Sequence, residues 1–93
     1  MSSYRYRITV EALNSADQHS EARSSFNFET TTHDDLFRIV ETMHKKQIVE
    51  EGAATALGLG LKLFAEVVIR HREDPNFAPL EAPLRQFIGM LKR

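Results

Sequence analysis

The sequence predicts an α+β fold in which a two-stranded antiparallel hairpin precedes three helices, in the order β-β-α-α-α. Two segments near the N-terminus alternate apolar and polar residues with the two-residue period of a half-buried strand. Three later segments carry apolar residues at helical spacing, and residues 50–73 form the most apolar of them. We therefore expect three helices packed on one face of a small sheet, with residues 50–73 as a long central helix.

The composition predicts a single domain over residues 1–93, because 42% hydrophobic content in 93 residues provides one core but not two. A formal net charge of −1 creates no global field for nucleic acid or anionic lipid, and the absence of cysteine excludes disulfides and thiolate chemistry. No secretory signal is recognisable, and Lys62 and Glu66 interrupt the one long apolar run. We expect a cytoplasmic protein that binds no nucleic acid, membrane or cofactor.

The two predicted strands span residues 4–13 and 24–31, and a polar segment at 14–23 connects them as a loop. An antiparallel register that pairs Ile8 with Phe28 collects the apolar side chains on one face. The same register gives two further pairs, Val10 with Phe26 and Arg7 with Glu29.

The first helix is expected to follow Thr32, whose hydroxyl is a suitable acceptor for first-turn amides, and to end near Lys46. The run His33-Asp34-Asp35 is open to a second interpretation as an acid–base pair, but capping and the helix dipole already favour acids at this position. The last helix is expected to become regular near Pro83, because proline is tolerated in a first turn but not deeper.

Residues 50–73 show a narrow polar stripe when they are projected at 100° per residue, so we expect this helix to be buried on most of its circumference. The stripe consists of Glu51, Thr55, Gly58, Lys62, Glu66, Arg70 and Glu73. Gly58 and Gly60 weaken a helix by about 1 kcal/mol each relative to alanine. They predict either close approach of another backbone or a kink.

The candidate ligand-binding residues are His71, Arg70 and Arg72 at the C-terminal end of the central helix, together with His44. His71 projects to the apolar side of this helix, so it either caps a terminal carbonyl or contributes to a pocket for an anion. We predict no catalytic residue and no metal site, since His33 and His44 lie roughly 16 Å apart along one helix and cannot share an ion.

Two other motifs favour ordinary structural roles. Tyr4-Arg5-Tyr6-Arg7 mixes aromatic and cationic residues, but strand alternation sends them to opposite faces, so base stacking and phosphate contacts would not cooperate. Gly58-Leu59-Gly60 lacks both the third glycine of a dinucleotide turn and the Gly-Lys-Ser/Thr of a phosphate loop.

Four segments together, YRYRITV, THDD, GLKLFAEVVIRHRE and NFAPL, resemble a family of small bacterial proteins known only as a domain of unknown function. The resemblance spans nearly the whole chain, and the motifs occur in the same order. It implies a single α+β domain and a bacterial cytosolic origin. It implies no activity and no binding residues.

The leading hypothesis is a non-catalytic protein-interaction or regulatory domain that forms a homodimer through a sheet edge or an apolar helix face. Two strands alone leave unpaired edges, and the sequence has no convergent polar constellation. The alternative is a binder of small anionic molecules, or a minor enzyme, with its pocket near the C-terminal end of the central helix.

Overall fold

A computed structural model of the chain describes residues 3–13 and 24–92. The elements, in chain order, are β1 (Tyr4–Glu11), β2 (Ser25–Thr32), α1 (Leu36–Lys46), α2 (Glu51–Arg70) and α3 (Ala78–Leu91). This order confirms the predicted α+β class with a long central helix. The predicted loop at 14–23 lies outside the described residues.

Internal contacts divide the chain into a hairpin unit and a helical unit, with the boundary between Asp34 and Asp35. The single domain over residues 1–93 and the packing of the helices on one face of the sheet stay predictions.

In the hairpin unit, β1 and β2 pair antiparallel in the predicted register, with Ile8 opposite Phe28 and Val10 opposite Phe26. The strands are shorter than predicted at the end of β1 and shifted by one residue in β2. Alternation places the apolar side chains on one face and the charged ones on the other. The register is therefore confirmed, and the sequence alone was sufficient to predict it.

Glu29 accepts two charge-assisted hydrogen bonds on the charged face of the hairpin. The Nη2 atoms of Arg7 and Arg5 lie 2.8 and 2.7 Å from its two carboxylate oxygens, which confirms the predicted Arg7–Glu29 pair and adds Arg5. The Arg7 guanidinium, and then that of Arg5, hold the pKa of the Glu29 carboxyl below its ordinary value. All three side chains are exposed to solvent, so the two bonds contribute little to stability.

The N-terminal cap of α1 is Asp35, three residues later than predicted. Its Oδ1 accepts a hydrogen bond of 3.0 Å from the amide of Phe37, and its backbone is extended, as a cap requires. The predicted cap, Thr32, is wrong, because its hydroxyl donates instead to the carbonyl oxygen of Asp34 at 2.6 Å. Thr32 still belongs to β2, where it is fully buried.

The helical unit is built around one side of α2. Its buried residues follow helical spacing and include two that are completely inaccessible, Ala65 and Val68. The side chains of Met43 in α1, Ala54 in α2 and Leu91 in α3 form the core cluster. Small residues line this side of α2, which allows the other helices to approach its backbone closely.

α1 approaches α2 closely at Gly58. A Cβ atom built there would lie 2.8 Å from Cγ of Met43 and 3.6 Å from the carbonyl oxygen of Ile39. The predicted close approach is thus confirmed at Gly58. At Gly60 a Cβ would meet nothing within 4 Å, so this glycine is not required by packing within the chain.

The predicted burial of α2 is wrong in two respects. Glu66 and Gly58, assigned to the polar stripe, are buried, whereas Phe64 and Val67 are 48% and 42% exposed. The physical reason is that α1 packs against the small side chains of α2, where the backbones come close. Part of the larger apolar surface of the helix therefore remains in contact with water.

The helix ends also differ from the prediction. α2 covers Glu51–Arg70 rather than residues 50–73, and α3 begins at Ala78, five residues before Pro83. Pro83 removes the hydrogen bond to the carbonyl of Pro79, but both prolines are exposed, so water can reach that carbonyl. A proline in the second turn is tolerated for this reason.

Candidate functional site

The three candidate residues at the C-terminal end of α2 mainly serve the helix itself. His71 is the C-terminal cap, and its Nδ1 donates to the carbonyl oxygen of Val67 at 2.9 Å. Arg72 Nη1 donates to the carbonyl oxygen of Ile69 at 3.0 Å. These carbonyls carry the partial negative charge of the helix end, which attracts cations and opposes a bound anion.

Arg70 points toward its own helix rather than toward His71. Its Nη2 lies 4.0 Å from Oε1 of Glu66, one helical turn earlier. The His71 ring instead packs at a 40° tilt against Phe77, with 5.7 Å between the ring centroids. The described contacts of Arg70, His71 and Arg72 therefore have different partners and do not converge on a common point.

His44 lies near the other end of α2. Its Nε2 is 2.9 Å from Oγ1 of Thr55, and its Nδ1 is 3.7 Å from a carboxylate oxygen of Glu51. Thr55 and His71 are sixteen positions apart on the helix, which is roughly 24 Å at 1.5 Å per residue. The structure thus does not bring His44 together with His71, Arg70 and Arg72.

A pocket of about 320 Å³ occupies the junction between α1 and α2. Val49 and Ala54 supply apolar lining, while the polar lining residues are His44, Gln47, Glu50 and Glu51. Two carboxylates at this position favour a positively charged ligand over an anion.

The junction pocket depends on a tight connection between the two helices. Gln47 caps α1 in the left-handed conformation, with φ of 55°, and α2 starts four residues later. The sequence predicted the end of α1 near Lys46 and the start of α2 to within one residue, but it did not point to the space between them. The four-residue connection was the available signal, because short connections hold two helix ends together.

Among the described residues, 3–13 and 24–92, no group of three or more histidine or acidic side chains is arranged to hold a metal ion. His19 falls outside them.

Large apolar side chains remain exposed in both units. In the hairpin unit they include Val10, Phe26 and Phe28, at 46%, 59% and 42% exposure, all on the apolar face. In the helical unit the exposed set comprises Phe37, Ile48, Phe64, Val67, Leu80, Phe87 and Met90. Within the part of the chain that is described, α2 is also the one helix long and apolar enough to cross a membrane by length and composition alone.

The comparisons identify relatives that carry no known activity. The family model for a domain of unknown function with a solved structure, DUF3861, matches residues 4–93. A protein of unknown function from the bacterium Pectobacterium atrosepticum has a crystal structure similar to this chain, with 35% identity, a TM-score of 0.80 and 98% coverage of both chains. No curated protein matches the chain at a significant level. Because the family model spans almost the whole sequence, this chain belongs to the DUF3861 family of domains of unknown function.

Proposed function

We propose that this chain is a non-catalytic protein-interaction domain that acts in the bacterial cytoplasm and forms a homodimer. The single observation that carries the proposal is the exposed apolar surface: Phe26 is 59% exposed on the hairpin, and Phe64 and Val67 on α2 are 48% and 42% exposed. Exposed apolar side chains that are neighbours on one face mark interaction surfaces more often than isolated ones.

The hairpin supports an interaction role independently. Val10 and Phe26 are opposite each other in the register, as are Ile8 and Phe28, so their side chains form one continuous apolar face. A sheet with only two strands among the described residues also has unpaired edges that can accept another strand. A second copy or another protein would remove this surface from water.

A location outside the membrane is supported by charges within α2. The Nζ atom of Lys62 and a carboxylate oxygen of Glu66 are 3.5 Å apart near the middle of the helix, with side chains 17% and 8% exposed. Charged residues at the centre of a bilayer cost about 2.5–3.5 kcal/mol each on insertion scales, so this pair opposes a membrane-spanning role.

The oligomeric state tests the proposal. Sedimentation equilibrium from low to high micromolar concentration should show a reversible approach to twice the chain mass. Phe26→Lys places a charge on the apolar face of the hairpin, and Asn27→Lys is the matched control on the opposite face. Loss of the dimer in Phe26→Lys alone would place the interface on the hairpin rather than on the helices. A monomer at every concentration would remove the homodimer from the proposal.

A second candidate function, small-molecule binding, is favoured by the pocket of about 320 Å³ beside His44. Its carboxylates indicate an organic cation rather than the anion expected from the residues at the other end of α2. A thermal-shift screen of matched amines and carboxylic acids tests this candidate, because a specific ligand raises the melting temperature by mass action. Stabilisation by amines that His44→Ala abolishes would support it, whereas stabilisation by acids alone would contradict it.

A further inference from the structure

One side of α2, away from its packed side, is apolar and open to solvent. Ala56, Gly60, Phe64 and Val67 are exposed, and we call these four residues the open face. At 100° per residue they project within an arc of about 80°. No charged residue of α2 projects into this arc, which is unusual for a helix surface that contacts water.

The side chains of the open face are small in the first half of α2 and large in the second half. Ala56 and Gly60 lie in its N-terminal half, and Phe64 and Val67 lie in its C-terminal half. Gly60 has no side chain, and a Cβ built there would meet nothing within 4 Å, so the open face is lowest at this position, which we call the depression at Gly60. Next to this depression, Phe64 presents a ring that is 48% exposed.

From this grading we infer that the open face binds the same face of a second copy, with the two α2 helices antiparallel. This inference rests on the proposed function and specifies its interface. In a two-fold arrangement each residue pair occurs twice, so Phe64 of each copy would fill the depression at Gly60 of the other. A parallel arrangement would stack Phe64 on Phe64 and leave a gap at Gly60. An unrelated partner would have no need for a face that complements itself.

The helix dipoles favour the same direction. Antiparallel packing places the partially positive N-terminal end of α2 in one copy beside the partially negative C-terminal end in the other, whereas parallel packing would place like ends together. The charged side chains at the helix ends do not decide the direction, because Glu51 projects to the opposite side of α2 and lies 3.7 Å from His44. One helix pair is smaller than the roughly 800 Å² per partner of a standard interface, so we expect a reversible dimer.

Engineered disulfides measure the helix direction directly, since the chain contains no cysteine. With Phe64 against Gly60, Ala56 of one copy lies opposite Val67 of the other. The two Ala56 positions, and likewise the two Val67 positions, would be roughly 15–18 Å apart along the axis, beyond the about 7 Å that a disulfide spans between Cα atoms. A mixture of Ala56→Cys and Val67→Cys chains, one of them tagged, should therefore form the mixed dimer under mild oxidation.

The outcomes separate this inference from the proposed function. Efficient self-linking of each variant alone would indicate parallel helices and overturn the inference. Dimers in sedimentation without a mixed disulfide would overturn it as well but leave the homodimer intact. A monomer in buffer that binds phosphatidylglycerol vesicles would show that lipid, not a second copy, covers the open face.

Variants that change the side-chain size at Gly60 and Phe64 give a second, independent test. Gly60→Leu fills the depression and should weaken dimerisation about tenfold or more, because an overpacked interface is destabilised. Gly89→Leu is the matched control, since a Cβ at either glycine meets nothing within 4 Å in the chain. The double variant Gly60→Leu/Phe64→Ala should recover part of the affinity. Equal dimerisation of Gly60→Leu and Gly89→Leu would contradict the inference.

Discussion

Replacing Gly58 with alanine tests the packing of α1 on α2. Alanine favours a helix interior over glycine by about 1 kcal/mol, which alone would stabilise the protein. The added Cβ, however, would lie 2.8 Å from Cγ of Met43, a buried side chain that cannot move aside freely. Overpacking of this kind costs about 1–3 kcal/mol. We therefore expect Gly58→Ala to be neutral or destabilised by up to about 2 kcal/mol.

Gly60→Ala is the matched control, because it lies in the same helix and its Cβ would meet nothing within 4 Å. It should gain about 1 kcal/mol, so the two variants should differ by about 1–3 kcal/mol. Urea denaturation monitored by circular dichroism, with dilute protein so that self-association does not contribute, gives both free energies of unfolding. If Gly58→Ala were as stable as Gly60→Ala, the close approach at Gly58 would be refuted.

Three further predictions follow from local contacts. Asp35→Ala removes the hydrogen bond to the Phe37 amide and should lower the free energy of unfolding by about 0.5–2 kcal/mol. Asp35→Asn keeps an acceptor oxygen and should retain most of the stability. Equal losses of stability in the two variants would contradict the role of Asp35 as the cap. The pKa of the Glu29 carboxyl is lower in the folded chain than in the unfolded chain, so its ionised form stabilises the fold at pH values above the unfolded-state pKa. This stabilisation is lost as the pH falls through the folded-state pKa. An NMR titration should give a midpoint for Glu29 that rises in Arg7→Gln, and an unchanged midpoint would show that Arg7 is not the cause. Pro83→Ala restores a helical amide and should stabilise α3 by up to about 3 kcal/mol in thermal unfolding, while a lower melting temperature would indicate that proline is required at that position.

The strand pairing of the hairpin was predictable from the pattern of apolar residues in the sequence. A strand has a period of two, so a shift of one residue would move every apolar side chain to the other face. The pairing of Ile8 with Phe28 was therefore predictable, and with it the contact of Arg7 with Glu29. Thr32 was wrongly predicted as the cap in place of Asp35, because Thr32 and the three residues after it are all polar and the sequence does not reveal which of them adopts the extended cap geometry.

The candidate site was less predictable than the fold. Sequence order placed His71 and its neighbouring arginines at a helix end, but their side chains bond carbonyls and Glu66 of their own helix. The helical period predicts the direction in which each side chain leaves the helix axis, but it does not predict which group that side chain contacts. The pocket beside His44 depends on the left-handed turn at Gln47, a conformation uncommon for residues other than glycine.

The sequence by itself determined the order of the elements, the pairing of the strands and the apolar character of the central helix, because these depend on local period and composition. Only the tertiary structure decided which side of α2 is buried. Helices pack where their backbones can approach, so α1 covers Gly58 and leaves Phe64 and Val67 in contact with water. Hydrophobicity alone does not distinguish these two sides, and the exposed one is where we place the function of this protein.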